Sequence, residues 1–350
     1  MKRFFLYLLT IALLFSCSGT DSTFKRSAVG NPYEVLVVCT QEFWDSPAGR
    51  ALENALDTDI PGLPQSERSF RISRTEGLGN LTKPFRNIIN INIDHNLYSR
   101  SIFKYSEDVF ARPQTVMTIQ SPSRDDFEQF VTENAQVIVD FFTAAEMNRQ
   151  IDILKEKHNE QAFETVKEMF GCELMIPVEM SGEKRGKDFV WLSDFHSSRP
   201  EILSFVMYSY PYTSVDNFSL ENYIQKRDSV MKINMPGGKP DQYIQTEKDY
   251  VNITETSYKD RYLQVARGLW YMENDMMGGP FVSHSVVDEI NNRVIVVEAF
   301  VYAAGKKKGN FIRRLEASLY TLKLPADKLI ENSIHIPQVV IDAEGDEKQQ

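Results

Sequence analysis

The chain reads as an α+β protein, with antiparallel sheets flanked by helices and two α+β halves of similar layout. Three observations predict this class. Short apolar, β-branched runs bounded by turn residues mark strands at both ends of the chain. A long stretch of three- and four-residue periodicity fills the middle, from Ser123 to Gly171. The last third returns to strands and closes on one amphipathic helix. Strands in antiparallel runs with helices on one face fit α+β better than a doubly wound parallel sheet, although the first strand-to-helix step alone allows α/β.

Residues 33–39 (YEVLVVC) form a continuous apolar run, the pattern of a strand buried on both faces. Pro47 opens a helix whose stripe is Ala48, Ala51, Leu52, Ala55 and Leu56, ended by Pro61, Gly62 and Pro64. Strands are expected at 70–73, 88–93 and 115–120; the second alternates Ile89, Ile91 and Ile93 against Asn90 and Asn92. Ser123 is placed to cap a helix carrying Phe127, Phe130, Val131, Ile138, Phe141 and Phe142. A second helical stretch carries Met147, Ile151 and Leu154, and a third carries Phe163, Val166, Met169 and Phe170, with Gly171 as its C-cap. Residues 32–180 thus make an N-terminal half with a helical middle.

Residues 181–187 (SGEKRGK) read as a turn between strands or a domain joint, and 188–330 as the second half. A clear strand runs over 202–210, and Ser219 precedes a helix with Leu220, Tyr223, Ile224, Val230 and Met231 on its apolar side. Residues 235–241 (MPGGKPD) are a loop. Strands follow at 262–269, 281–287 and 294–302, the latter two joined by a hairpin loop at 288–292. Phe311, Ile312, Leu315 and Leu319 mark the closing helix, limited by Pro325. Residues 341–350 are acidic and expected to be disordered.

The first seventeen residues carry an address. Lys2 and Arg3 precede an apolar run, FFLYLLTIALLF, too short for a stable membrane span and right for a signal-peptide core. Leu14-Phe15-Ser16-Cys17 resembles the lipobox read by bacterial lipoprotein signal peptidase, with Phe15 where a small or branched residue is usual. The resemblance implies that residues 1–16 are removed and that Cys17, carrying palmitate-type acyl chains, becomes the first residue. The alternative is an ordinary secretory signal cut nearby. Residues 17–31 then read as a flexible tether.

The formal charge of −10 becomes −12 once Lys2 and Arg3 are removed, which argues against nucleic acid as a partner. The basic run Lys306-Lys307-Lys308 reads as a solubilising loop. An oxidising envelope would permit Cys39 and Cys172 to pair, while both also read as buried small hydrophobes.

The most unusual stretch is 268–284 (GLWYMENDMMGGPFVSH), read as a long link between two strands. Trp270, Tyr271, Glu273, Asp275, Gly278 and Gly279 make it a candidate binding loop: a polar ligand would stack on Trp270 while a carboxylate accepts its hydrogen bonds. The competing reading is a hairpin whose Trp and Met residues plug the core edge. His284 is in register with Val282 and Val286, which favours a packed face. Arg199 is a candidate anion or carboxylate partner, and 194–199 (DFHSSR) reads as a turn rather than a catalytic triad. The five histidines are scattered, with no HExxH, CxxC, phosphate loop or GxSxG, so neither a metal nor a cofactor is expected.

The anchor, together with SRPEILSFVMYSYP (198–211) and GLWYMENDMMGGPF (268–281), resembles an uncharacterised envelope lipoprotein family of the Bacteroidetes, a domain of unknown function. That resemblance implies a Gram-negative envelope location and transfers no activity. The strand order and closing helix of the second half also resemble photosystem-associated extrinsic proteins of the PsbP kind, at fold level only. The expected function is a non-catalytic binding or assembly module, lipid-anchored at the outer membrane with its body in the periplasm. Its partner would be an envelope protein or a small polar ligand. The alternative is a periplasmic hydrolase acting on glycan or peptide through Glu273 and Asp275.

Overall fold

The computed structural model describes residues 25–194 and 199–327, and the backbone of two short C-terminal segments, Val339–Ile341 and Glu347–Gln349. The signal peptide, Cys17 and the first part of the tether lie outside the described residues.

The first half is built on β1 (Glu34–Val38), α1 (Gln41–Trp44), α2 (Pro47–Leu56), β2 (Arg71–Thr75), β3 (Asn87–Ile93), β4 (Ile102–Glu107) and β5 (Thr115–Ser121). Three helices follow: α3 (Arg124–Glu133), α4 (Ala135–Glu156) and α5 (Glu160–Phe170). The second half contains β6 (Gly182–Gly186), β7 (Phe189–Asp194), β8 (Ile202–Pro211), α6 (Leu220–Asn234) and β9 (Ile244–Tyr258). It ends with β10 (Arg261–Met272), β11 (Gly278–Asp288), β12 (Arg293–Tyr302) and α7 (Gly309–Leu319).

The α+β class holds, and the seven-stranded sheet β6-β7-β8-β12-β11-β10-β9 is antiparallel at every pairing. The five-stranded sheet, β2-β1-β3-β5-β4, departs from the antiparallel expectation. β1 pairs in parallel with β2 and β3, and β3 with β5; only β4 runs antiparallel. The buried apolar run of β1 already suits a parallel centre, and α2 supplies the crossover that parallel neighbours require. The two halves therefore differ in sheet topology.

Several boundaries differ from the sequence reading. The first helical run breaks at Asn134, whose side chain donates to the Phe130 carbonyl, and α4 then continues unbroken to Glu156. Ser123 and Ser219 cap their helices as expected, and Gly171 ends α5 at φ 65°. α5 belongs to the second half. Ala162, Val166, Phe170, Cys172, Leu174, Ile176 and Met180 pack into the core under the seven-stranded sheet with Ile312, Leu315 and Leu319 of α7. Residues 182–186 form an edge strand instead of a turn, and β9, charged and half-exposed, is the opposite edge.

The last part of the tether is pinned to the body. Val29 N donates to the Pro84 carbonyl at 2.8 Å, and Arg86 N returns a bond to the Val29 carbonyl at 2.9 Å. The tail expected to be disordered lies partly outside the described residues; within them, Val339–Ile341 pairs antiparallel with Glu347–Gln349, as three consecutive β-branched residues favour. Cys39 and Cys172 are free and buried in separate cores, so they do not pair.

α6 covers the other face of the large sheet, where Tyr223, Ile224 and Met231 meet Tyr208, Trp270, Phe281 and Phe300. Inside this layer Arg227 and Glu298, both fully buried, form a bidentate pair at 2.7 and 2.9 Å. The halves meet where α4 packs on α7 through Met147, Ile151 and Ala317.

Candidate functional site

The stretch 268–284 is a β-hairpin rather than a long loop. β10 and β11 pair through Trp270↔Gly279 and Tyr271↔Gly278, leaving only 273–277 as the turn. Trp270 is 3 % exposed and packs edge-on against Phe300, so it is a core residue and offers no stacking face to a ligand. A Cβ on Gly279 would lie 2.0 Å from the Val301 carbonyl oxygen, so that glycine serves the close approach of β12, and one on Gly278 would lie 2.8 Å from the Trp270 carbonyl. Tyr271 donates its hydroxyl to Gln245 Oε1 at 3.1 Å. Asp275 Oδ1 accepts from the Met276 and Met277 amides, and its Oδ2 from Gln242 Nε2 at 3.0 Å. Glu273 Oε2 accepts from Gln245 Nε2 at 3.2 Å. Both carboxylates hold the turn against the start of β9.

Arg199 pairs with Asp194 at 2.9 Å, far along the chain from the hairpin, and the four residues between them lie outside the described residues. His284 sits on the packed face expected of it, 2 % exposed, with its ring against Tyr320. Burial first and the Arg267 charge second hold its pKa at about 3, well below the usual imidazole range. Among the described residues no three His, Cys, Asp or Glu side chains gather as a metal site, and no helix is long and apolar enough to cross a membrane.

Two hollows lie at the junction of the halves. Arg313 of α7 is their shared wall. Its guanidinium lies over the Tyr33 ring at 3.4 Å, donates to the Ser69 carbonyl at 2.8 Å and to Asn310 Oδ1 at 3.1 Å. Next to it Glu316 pairs with Arg267 of β10, and burial pushes the Glu316 carboxyl up despite both arginines. On the other flank a buried network joins α4 to the strand starts: Arg149 contacts Glu146 at 2.8 Å, Asn87 Oδ1 at 2.7 Å and Thr115 Oγ1 at 2.8 Å.

The inner hollow, about 420 Å³, lies between α4 and α7 and is floored by Ile60, Val139, Met147 and Phe281. The outer one is an open groove of about 890 Å³ running along β2. Its basic lining is Arg68, Arg71, Arg74, Lys307 and Arg313, against Glu53 and Glu67 alone, with Trp44 and Phe311 as aromatic surface. Glu67 is already engaged: it accepts the Lys308 and Gly309 amides at 2.6 and 3.0 Å and so caps α7. Arg68 and Arg71 are 70 % and 72 % exposed in their side chains, with Asp57 at 2.6 Å from Arg68 and Glu34 at 3.8 Å from Arg71.

Sequence reasoning placed no functional residue in this groove. The available signal was the spacing of Arg68, Arg71 and Arg74, three cations within seven residues of an acidic chain. The lysine run, read as a solubilising loop, divides its roles: Lys306 pairs with Glu201, Lys307 lines the groove and Lys308 offers its amide to Glu67.

Comparison with known families finds two matches side by side. Residues 28–155 match a domain of unknown function (DUF8532), and residues 159–321 match a second domain of unknown function (DUF4837). The matches meet in the link between α4 and α5, where the structure also changes from one core to the other. No curated protein matches the chain.

Proposed function

We propose that this protein is a non-catalytic binding module of the cell envelope, lipid-anchored through Cys17 at the outer membrane with its body in the periplasm, and that it binds an anionic partner in the groove along β2. The observation that carries the binding reading is the charge of that groove. Five basic side chains line it against two acidic ones, on a chain whose formal charge is −10, with the carboxylates of Asp57, Glu34 and Glu76 at 2.6, 3.8 and 3.9 Å from Arg68, Arg71 and Arg74 on its rim. A cluster of cations on an acidic chain offers a negative partner a local point of attraction and speeds its encounter. The signal-like segment and the Leu14–Cys17 pattern support the anchor, and the several acyl chains of a bacterial lipoprotein would make it stable. The hydrolase alternative gains nothing from the hairpin, where Glu273 and Asp275 are turn-holding acceptors.

Two measurements test this reading. Cys17→Ala should release the protein from membranes and abolish fatty-acid labelling; persistent labelling would overturn the anchor. Polyglutamate should bind the protein with an affinity that falls steeply with salt, and the double variant Arg71→Glu/Lys307→Glu should lose that binding. Equal binding by variant and wild type would remove the groove from the account.

A further inference from the structure

We infer that the groove takes an extended acidic polypeptide as an added strand against β2, an inference that rests on the anion-binding reading of this groove and specifies its ligand. β2 ends the five-stranded sheet: β1 occupies one side, and no strand occupies the other among the described residues. Arg71 N donates to the Tyr33 carbonyl at 2.9 Å, and Cys39 N donates to the Thr75 carbonyl at 2.9 Å. Residues 71, 73 and 75 therefore turn their peptide groups toward β1. Ile72 and Arg74, alternating with them, turn theirs to the open side. An edge of this kind is a template for a further strand, and the backbone bonds it offers are those a peptide returns.

The groove is lined by Arg71, Ile72 and Arg74 of that strand. Ile72 packs toward the core of the first half, whereas Arg71 leans to the opposite face, where Ser73 bonds Glu34, yet both residues line the same hollow. A strand laid here would send alternate side chains to the two faces. Those on one face meet Trp44, and Arg71 and Lys307 lie about the opening for acidic groups. The five residues of β2 span about 17 Å, enough to pair with a peptide of similar length.

Charged side chains also guard bare edges against self-pairing, and the arginines alone would suit that role. The guard needs no hollow, however, and here about 890 Å³, with Trp44 and Phe311 in its lining, is bounded by three residues of β2. Nucleic acid fits less well. A phosphate backbone has no use for alternating amide donors and carbonyl acceptors.

The test uses the full chain and a short fluorescent peptide, capped at both ends and alternating glutamate with valine. Two further peptides carry N-methyl groups on one alternate set of amides or on the other. Strand addition predicts that one methylated peptide loses affinity about tenfold or more while the other stays within about twofold, because only one set faces β2. Arg71→Glu/Lys307→Glu should weaken the parent peptide about tenfold. Equal binding by the two methylated peptides, with charge reversal still weakening both, would overturn strand addition and leave anion binding standing. No binding by the peptide or by polyglutamate would overturn both. Tighter binding of a single-stranded oligonucleotide than of the parent peptide would overturn the assignment of the ligand.

Discussion

The guanidinium of Arg313 lies over the ring of Tyr33, 3.4 Å from its centroid, and this contact joins the last helix to the residue that opens the first strand. The two residues are far apart in sequence and belong to different domain matches. Arg313 also reaches the Ser69 carbonyl, so the same side chain on α7 holds the end of the α2–β2 connection that leads into β2. The polar bonds and the stacking together fix the halves at the wall between the two hollows.

Replacing Arg313 by Met should therefore lower stability by about 2–3 kcal/mol, since it removes a stacked cation and leaves a buried carbonyl without a partner. Lysine should not restore the loss, because it lacks the planar fork that stacks and bonds at once. Urea unfolding at pH 7 measures both variants.

Glu67 offers a second link. It caps α7 from the loop before β2, accepting the Lys308 and Gly309 amides. Glu67→Ala should cost about 1–2 kcal/mol, with Glu67→Gln between it and wild type, because the charge and the acceptor both contribute at a helix N-terminus. Gly309→Ala should cost less than Glu67→Ala, because the new Cβ meets only side-chain ends, Ile60 Cδ1 and Glu67 Oε2, and alanine favours the helix. Denaturation midpoints of the three variants decide the order.

The Arg227–Glu298 pair is sealed between α6 and the sheet, with Arg227 also stacked on Phe281 at 4.1 Å. Arg227→Met alone or Glu298→Leu alone should cost about 3–5 kcal/mol, because each leaves one charge buried without its partner. The double variant should be more stable than either single. Additive losses in the double-mutant cycle would show that the two side chains are not coupled.

His284 gives a pH signature. Its folded pKa of about 3 lies below the unfolded value of 6.5, so the unfolded chain binds the proton first as pH falls. Its contribution is present at neutral pH and is lost progressively as pH drops from about 6.5 toward 3. Between pH 7 and pH 5 the wild type should lose roughly 2 kcal/mol more than His284→Phe, which keeps a ring against Tyr320 without titrating. Parallel unfolding curves at the two pH values would contradict the neutral, buried imidazole.

The strands at 33–39, 202–210 and 294–302 were legible because runs rich in apolar, β-branched and aromatic residues leave little choice of state, and the caps at Ser123, Ser219 and Gly171 were legible because capping is local chemistry. β9 was not: an edge strand with one solvated face carries charges through most of its length and shows no run. Residues 270–272 and 278–280 were read as part of the link for a related reason, while the hairpin reading with Trp270 in the core holds. Gly278, Gly279 and Pro280 signal a loop to any local rule, yet Gly279 sits in a strand because the Val301 carbonyl approaches too closely for a Cβ. The parallel pairing of β1 was equally hidden, since an apolar strand does not state the direction of its neighbours.

By itself the sequence determined the class, most elements and the acidic balance of the chain, because periodicity, capping and charge are properties of neighbours along the backbone. The tertiary structure alone decided where a surface could act. It buried Trp270, turned Glu273 and Asp275 to holding a hairpin, and brought Trp44, Arg71, Lys307 and Arg313 around one edge. Those four come from three parts of the chain, and only the packing of α7 against the first half sets them together.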